Sequence, residues 1–183
     1  SPEGKERQQI VDWLVDALRK HPEPITVHID RDEMRPGDLI STFMDRLAAG
    51  DRVIVVISDK YLRSEFCMYE LFKIYQNCRN KAEDFLRRII PVILPDAGLS
   101  GGTAARLKPA EEWDKQRKEL EAIFVKNPDM LGVRGYKKYR FICEFTRNTS
   151  DMLDYLLDQL QPRDYDRQME GGFTELCEQI LAD

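Results

Sequence analysis

Arg52-Val53-Ile54-Val55-Val56-Ile57-Ser58 is the stretch on which the fold turns. Val53 to Ile57 is β-branched and unbroken, with no polar residue at alternate positions. Such a run predicts a strand buried on both faces, as in a parallel sheet covered by helices above and below. Ser58 ends it. Downstream, Ser64 is a suitable N-cap for a helix whose Cys67, Leu71, Ile74 and Cys78 recur at helical spacing. Arg88 to Leu94 reads as a further strand, with Pro91 placing it near an edge or Pro91 near its end. Strand, helix, strand in this order implies a right-handed crossover and an open, mainly parallel sheet.

Working outward from this unit, residues 5 to 20 place Ile10, Val11, Leu14, Ala17 and Leu18 on one helical face, and His21-Pro22 stops the helix. Ile25 to Ile29 alternates as a short strand. It runs into Asp30 to Asp38, whose charges and Pro36-Gly37 pair mark a loop. Asp38 can cap a helix carrying Leu39, Phe43 and Leu47 beside Ile40 and Met44, ending at Gly50. On the other side, Gly98 to Gly102 reads as a loop and Pro109 to Lys126 as a helix with Trp113, Leu120 and Phe124 on one side. Tyr139 to Phe145 reads as a last strand. Ser150 or Asp151 starts a helix with Leu153, Leu156, Leu157 and Leu160 inward, and Phe173, Leu176, Cys177, Ile180 and Leu181 mark a final one.

The composition fits one folded domain spanning residues 1–183: 42% hydrophobic, 33% charged and 9% aromatic residues in a chain of 183. Net charge is −5, and the basic residues read as scattered among acidic ones, so direct nucleic-acid binding is not expected. Cys67, Cys78, Cys143 and Cys177 form no C-x-x-C pair, and His21 and His28 are the only histidines, so no metal site is expected. Thiols on apolar faces suit a reducing, cytoplasmic setting. The longest apolar stretches fall far short of the roughly 20 residues that span a bilayer, so no membrane association is expected. Asn148-Thr149-Ser150 matches a glycosylation acceptor, but without an export signal it reads as a helix-start cluster.

Asp30 to Leu71 resembles the Toll/interleukin receptor (TIR) family, above all its bacterial NAD-cleaving members. Arg31 to Asp38 is similar to the family's loop after the second strand, which helps form the ligand cleft and the contacts of assembly. Val53 to Ser58 resembles the third strand. Ser58, Tyr61, Ser64, Phe66-Cys67 and Glu70-Leu71 then follow the family's pattern of Ser, Tyr, Ser, aromatic-Cys and Glu-Leu across residues 58 to 71. The resemblance implies a flavodoxin-like open sheet with helices on both faces, with residues from about 99 to 138 as a helical insertion. The family usually carries tryptophan where this chain has Phe66. Its members also begin with a central strand that no segment of this sequence resembles, so an upstream strand, or a strand from a partner, is expected to complete the sheet.

In the NAD-cleaving members the glutamate matching Glu70 is catalytic. The chemistry suits a single carboxylate, because nicotinamide departs as a neutral molecule and needs little acid catalysis. What remains is to stabilise an oxocarbenium-like ribosyl centre, by charge and by holding its hydroxyls. Half-burial on a helix would tend to raise the pKa of Glu70. Phe66 or Tyr61 would supply an apolar wall, Arg31 or Arg35 would meet the pyrophosphate, and Ser58 stands at the strand end where ligands of open sheets bind. NAD is then a substrate, and no cofactor is implied. Without the resemblance, Glu70 is a solvated helix glutamate, Ser64 a cap, Cys67 a core residue, and Arg31 and Arg35 a charged surface loop.

The resulting expectation is a NAD glycohydrolase yielding nicotinamide and ADP-ribose or a cyclic isomer, switched on by TIR–TIR self-association in antiviral defence or as a toxin. The alternative is a non-catalytic TIR scaffold whose Arg31 to Asp38 loop docks another TIR domain. A sensor that binds an NAD-derived signal without cleaving it is a third reading.

Overall fold

The computed structural model describes residues 2–23, 25–27, 29, 52–78, 81–127, 132–159 and 169–181. Its elements in chain order are α1 (Pro2–Arg19), β1 (Val53–Ile57), α2 (Asp59–Arg63), α3 (Glu65–Asn77), α4 (Ala82–Arg88), β2 (Ile89–Ile93), a 3-10 turn (Pro95–Ala97), α5 (Thr103–Lys126), α6 (Gly132–Gln159) and α7 (Thr174–Leu181). The Leu39 to Leu47 helix expected from the sequence lies outside the described residues.

β1 and β2 pair in parallel, Val53 opposite Ile89 through Ile57 opposite Ile93. Among the described residues the sheet has these two strands, with α2, α3 and α4 as the crossover between them. The double-sided burial predicted for β1 follows from its alternation. Val53, Val55 and Ile57 enter one apolar cluster with Met68, Leu71, Phe72, Trp113, Phe145 and Leu153. Ile54 and Val56 pack on a second cluster built from Ile10, Leu14 and Leu18 of α1, Ile90 and Val92 of β2, and Leu176 and Cys177 of α7. Helices thus cover both faces of a parallel sheet, the arrangement of a flavodoxin-like α/β fold. Pro91 stands opposite Val55 and has no N–H to donate; β2 tolerates it because β1 is its one partner among the described residues.

Four sequence readings change. Tyr139 to Phe145 is not a strand but part of α6, which runs unbroken from Gly132 to Gln159. Its aromatic residues favour a strand locally, yet Ile142, Phe145, Thr149, Met152, Leu153 and Leu156 are buried as one stripe of helical period, and packing of that stripe wins over local propensity. Asn148-Thr149-Ser150 is accordingly mid-helix rather than a helix start. There the hydroxyls of Thr146 and Thr149 donate to the carbonyls of Ile142 and Phe145, and the Asn148 amide donates to that of Glu144. The buried Thr149 therefore leaves no unsatisfied polar atom behind. Residues 25–27 belong to neither helix nor strand, although Ile25 and Val27 pack on the second cluster. A strand needs a ladder neighbour, and the described residues give this segment none. The helix expected from Pro109 starts earlier, at Thr103, with Pro109 inside it.

Phe145 holds α3, α5 and α6 together: it stacks on Phe141 and meets Phe72 and Trp113 edge-on, with the Trp113 centroid at 5.1 Å. Phe145→Ala should lower the unfolding free energy by about 3–5 kcal/mol in urea titration, and a loss below about 1 kcal/mol would contradict this packing.

Candidate functional site

The chain leaves β1 at its carboxyl end and turns through two serines into α3. Ser58, buried, caps α2: its Oγ accepts from the Tyr61 amide at 3.1 Å. Ser64 closes α2 and caps α3, its Oγ accepting from the Cys67 amide at 3.3 Å. Both caps satisfy amides that a helix start otherwise leaves orphaned. The Tyr61 hydroxyl donates to the Cys67 carbonyl at 3.0 Å, tying α2 to the first turn of α3.

Trp113 of α5 fixes the elbow from outside, its buried indole N–H donating to the Leu62 carbonyl at 2.9 Å. Arg63 adds a second link, pairing with Asp59 at 2.9 Å and with Glu112 of α5 at 3.2 Å. These are exposed ion pairs, so the buried indole bond contributes more to holding the elbow. Sequence reading placed Trp113 only on an apolar face. The signal for its second role was available, because a buried indole needs an acceptor.

Glu70 lies in the middle of α3, half-buried, one helical turn from Phe66 and from Ile74. It acts electrostatically on Tyr61. The Tyr61 ring keeps some exposed surface while its hydroxyl end is desolvated. Burial pushes the phenol well above the ordinary tyrosine value, with the charges of Glu70 and Cys67 adding to the shift. Ser58, Tyr61 and Glu70 therefore belong to one elbow at the carboxyl end of β1, where ligands of open parallel sheets bind. A carboxylate on this frame can face a cationic centre and accept from hydroxyls.

Phe66 faces elsewhere. It is 60% exposed and lines an open groove of about 590 Å³ between α3 and α6, with Tyr69, Lys73, Lys137 and Phe141 among its neighbours. Glu70 is not part of that lining, so the groove lies on a different side of α3 from Glu70. Arg31 and Arg35 lie outside the described residues. Among the described residues no group of three or more His, Cys, Asp or Glu could hold a metal ion, and Cys67, Cys78, Cys143 and Cys177 are free thiols.

A parallel sheet covered by helices on both faces, with a Ser–Tyr–Ser–Glu elbow after its buried strand β1, defines an α/β domain of the flavodoxin-like class. Residues 3–124 match the family described as TIR domain, and the chain belongs to it. The match runs from α1 nearly to the end of α5, leaving α6 and α7 beyond it. The chain is also similar to the disease resistance protein RPP2B of Arabidopsis thaliana, with 25% identity over 144 residues, covering 72% of this chain and 12% of that protein. The chain thus spans a small part of that relative's length. No solved structure matches it.

The elbow makes a testable electrostatic statement. Since the folded-state pKa of Tyr61 lies above the unfolded one, the neutral phenol contributes stability that is fully present below the ordinary tyrosine value and is lost as pH rises through the folded value. In an ultraviolet titration, the tyrosine missing from Tyr61→Phe should be one that ionises above the ordinary range, and Glu70→Gln should bring its midpoint down. An unchanged midpoint in Glu70→Gln would remove Glu70 from the elbow.

Proposed function

We propose that this TIR domain is an NAD glycohydrolase of the bacterial NAD-cleaving type, with Glu70 as its catalytic carboxylate. The observation that carries the reading is the half-buried position of Glu70 on α3, the helix that follows an elbow held by two serine caps and the Trp113 indole. NAD binds with its nicotinamide ribose at this carboxylate. The bond between ribose C1′ and the pyridinium nitrogen breaks, its electron pair leaves with nicotinamide, and the leaving group becomes neutral. Glu70 stabilises the positive ribosyl centre by charge and accepts from the ribose hydroxyls. Water then adds at C1′ and loses its proton to solvent, giving ADP-ribose; attack by a nucleophile within the ADP-ribosyl group instead gives a cyclic isomer.

In this reading Tyr61 is a positioning residue, because its hydroxyl is committed to the Cys67 carbonyl. Ser58 is committed likewise to the Tyr61 amide, and its part in substrate binding is through the strand end it closes. Phe66, which faces the outer groove, is not assigned to the substrate wall, and Arg31 and Arg35 are the proposed partners of the pyrophosphate. Activation by self-association and a cytoplasmic defence role complete the proposal; the free thiols and the name of the similar plant protein support that setting.

One observation favours the rival, a TIR scaffold without turnover. Phe66 is mostly exposed and lines the outer groove, as expected of a contact residue rather than of a substrate wall. Nicotinamide release from NAD separates the two. At high protein concentration with a crowding agent, the chain should release nicotinamide, and Glu70→Gln and Glu70→Ala should each lose about a hundredfold or more while staying folded. Absence of release in every assembled state would establish the scaffold, and equal release by the variants would mean that another residue carries the chemistry.

A further inference from the structure

Among the described residues, α5 has none buried beyond Trp113 and α6 none before Ile142. These two half-helices run antiparallel. Trp113 meets Phe145 near the core, while Phe124 meets Tyr136 and Tyr139 at the far end, with centroids at 6.2 and 4.7 Å. At 1.5 Å per residue, the arm from Trp113 to Lys126 extends about 20 Å past its anchor. Described residues toward its end are apolar and open to solvent: Val125 is 79% exposed and Val133 74%, with Ile123 and Tyr136 more than half exposed.

The arm also carries a charge opposite to that of the chain. Residues 113–143 hold eight basic residues, Lys115, Arg117, Lys118, Lys126, Arg134, Lys137, Lys138 and Arg140, against Asp114, Glu119, Glu121 and Asp129, a surplus of four positive charges in a chain of net charge −5. The remainder therefore carries −9. This clustering corrects the impression of evenly scattered basic residues. Lys138 pairs with Glu65 at 2.8 Å and Arg140 with Glu144 at 3.5 Å. Lys126 and Lys137 meet no carboxylate among the described residues.

We infer that this arm docks on an anionic lipid surface, its aliphatic tip entering the boundary of the acyl chains and its lysines meeting lipid phosphates. Exposed valines and isoleucine beside lysines and a tyrosine are the chemistry of interfacial binding. A nucleic acid would take the lysines but has no use for the aliphatic tip. A second copy of the chain would need a pocket for that tip. The groove between α3 and α6 is lined by Lys73, Lys137, Lys138 and Arg140 against Glu65 and Glu144, a net positive lining that disfavours the lysines of a second arm. No described helix is long and apolar enough to cross a membrane, and interfacial docking requires none. The expectation of no membrane association rested on spanning length, and interfacial docking is a separate mode of binding. The inference is independent of the chemistry at Glu70.

Vesicle flotation tests it. The chain should bind phosphatidylcholine vesicles containing about a third phosphatidylserine at low salt, and bind neutral phosphatidylcholine vesicles at least tenfold more weakly. K126Q/K137Q should weaken anionic binding about tenfold or more, and V125S/V133S about tenfold, both with unchanged thermal unfolding because none of the four is buried. Equal binding to neutral vesicles, no binding to anionic ones, or no effect of either variant would overturn the proposal. So would a concentration-dependent dimer that both variants dissolve without any vesicle binding, which would assign the arm to a second copy of the chain.

Discussion

The bond from the Trp113 indole to the Leu62 carbonyl, 2.9 Å long and buried, is the constraint on which the rest of the molecule depends. A desolvated N–H without an acceptor costs about 1–3 kcal/mol, so α5 cannot slide along the elbow without losing that much. Toward the core, the bond fixes the turn from β1 through α2 into α3, and with it the position of Glu70. Away from the core, Trp113 is the last buried residue of α5, and the residues past it are half-buried or exposed and pack on the first half of α6 to form the arm. One side chain thus divides the molecule into a held half and a projecting half.

α3 has three uses. Met68, Leu71, Phe72, Ile74 and Tyr75 build the core; Phe66, Tyr69, Lys73 and Gln76 form a groove wall with α6; and Glu70 falls between these two faces. A carboxylate at such a seam is dehydrated on one side while remaining reachable from the other. Burial raises the Tyr61 phenol above the ordinary tyrosine value, and the Glu70 charge adds to that shift. The serines contribute geometry rather than chemistry, since each hydroxyl already caps a helix.

Elements with one dominant signal were legible in the sequence. The β-branched run of β1 fixed its burial on both faces, and Ser64 marked the start of α3 within a residue. α1 carries its buried stripe where the spacing placed it. Reading failed where signals competed. Aromatic residues from Tyr139 to Phe145 looked like a strand because the partners of the helical stripe, Trp113 and Phe72, are distant in sequence. The Asn-Thr-Ser cluster looked like a cap because nothing local shows that its side chains bond back into α6. For the candidate site, the Glu70 pattern was legible, whereas the indole bond and the side of α3 that Phe66 occupies depend on tertiary packing. The basic arm was countable all along, but averaging charge over the chain concealed it.

A crystal structure of the chain with a non-hydrolysable carbocyclic NAD analogue would test the central claim most directly. The account predicts the hydroxyls of the nicotinamide-bearing ring within hydrogen-bonding distance of the Glu70 carboxylate, at the carboxyl end of β1. A well-ordered analogue bound with that ring away from Glu70, for example in the groove of Lys73 and Phe141, would contradict it.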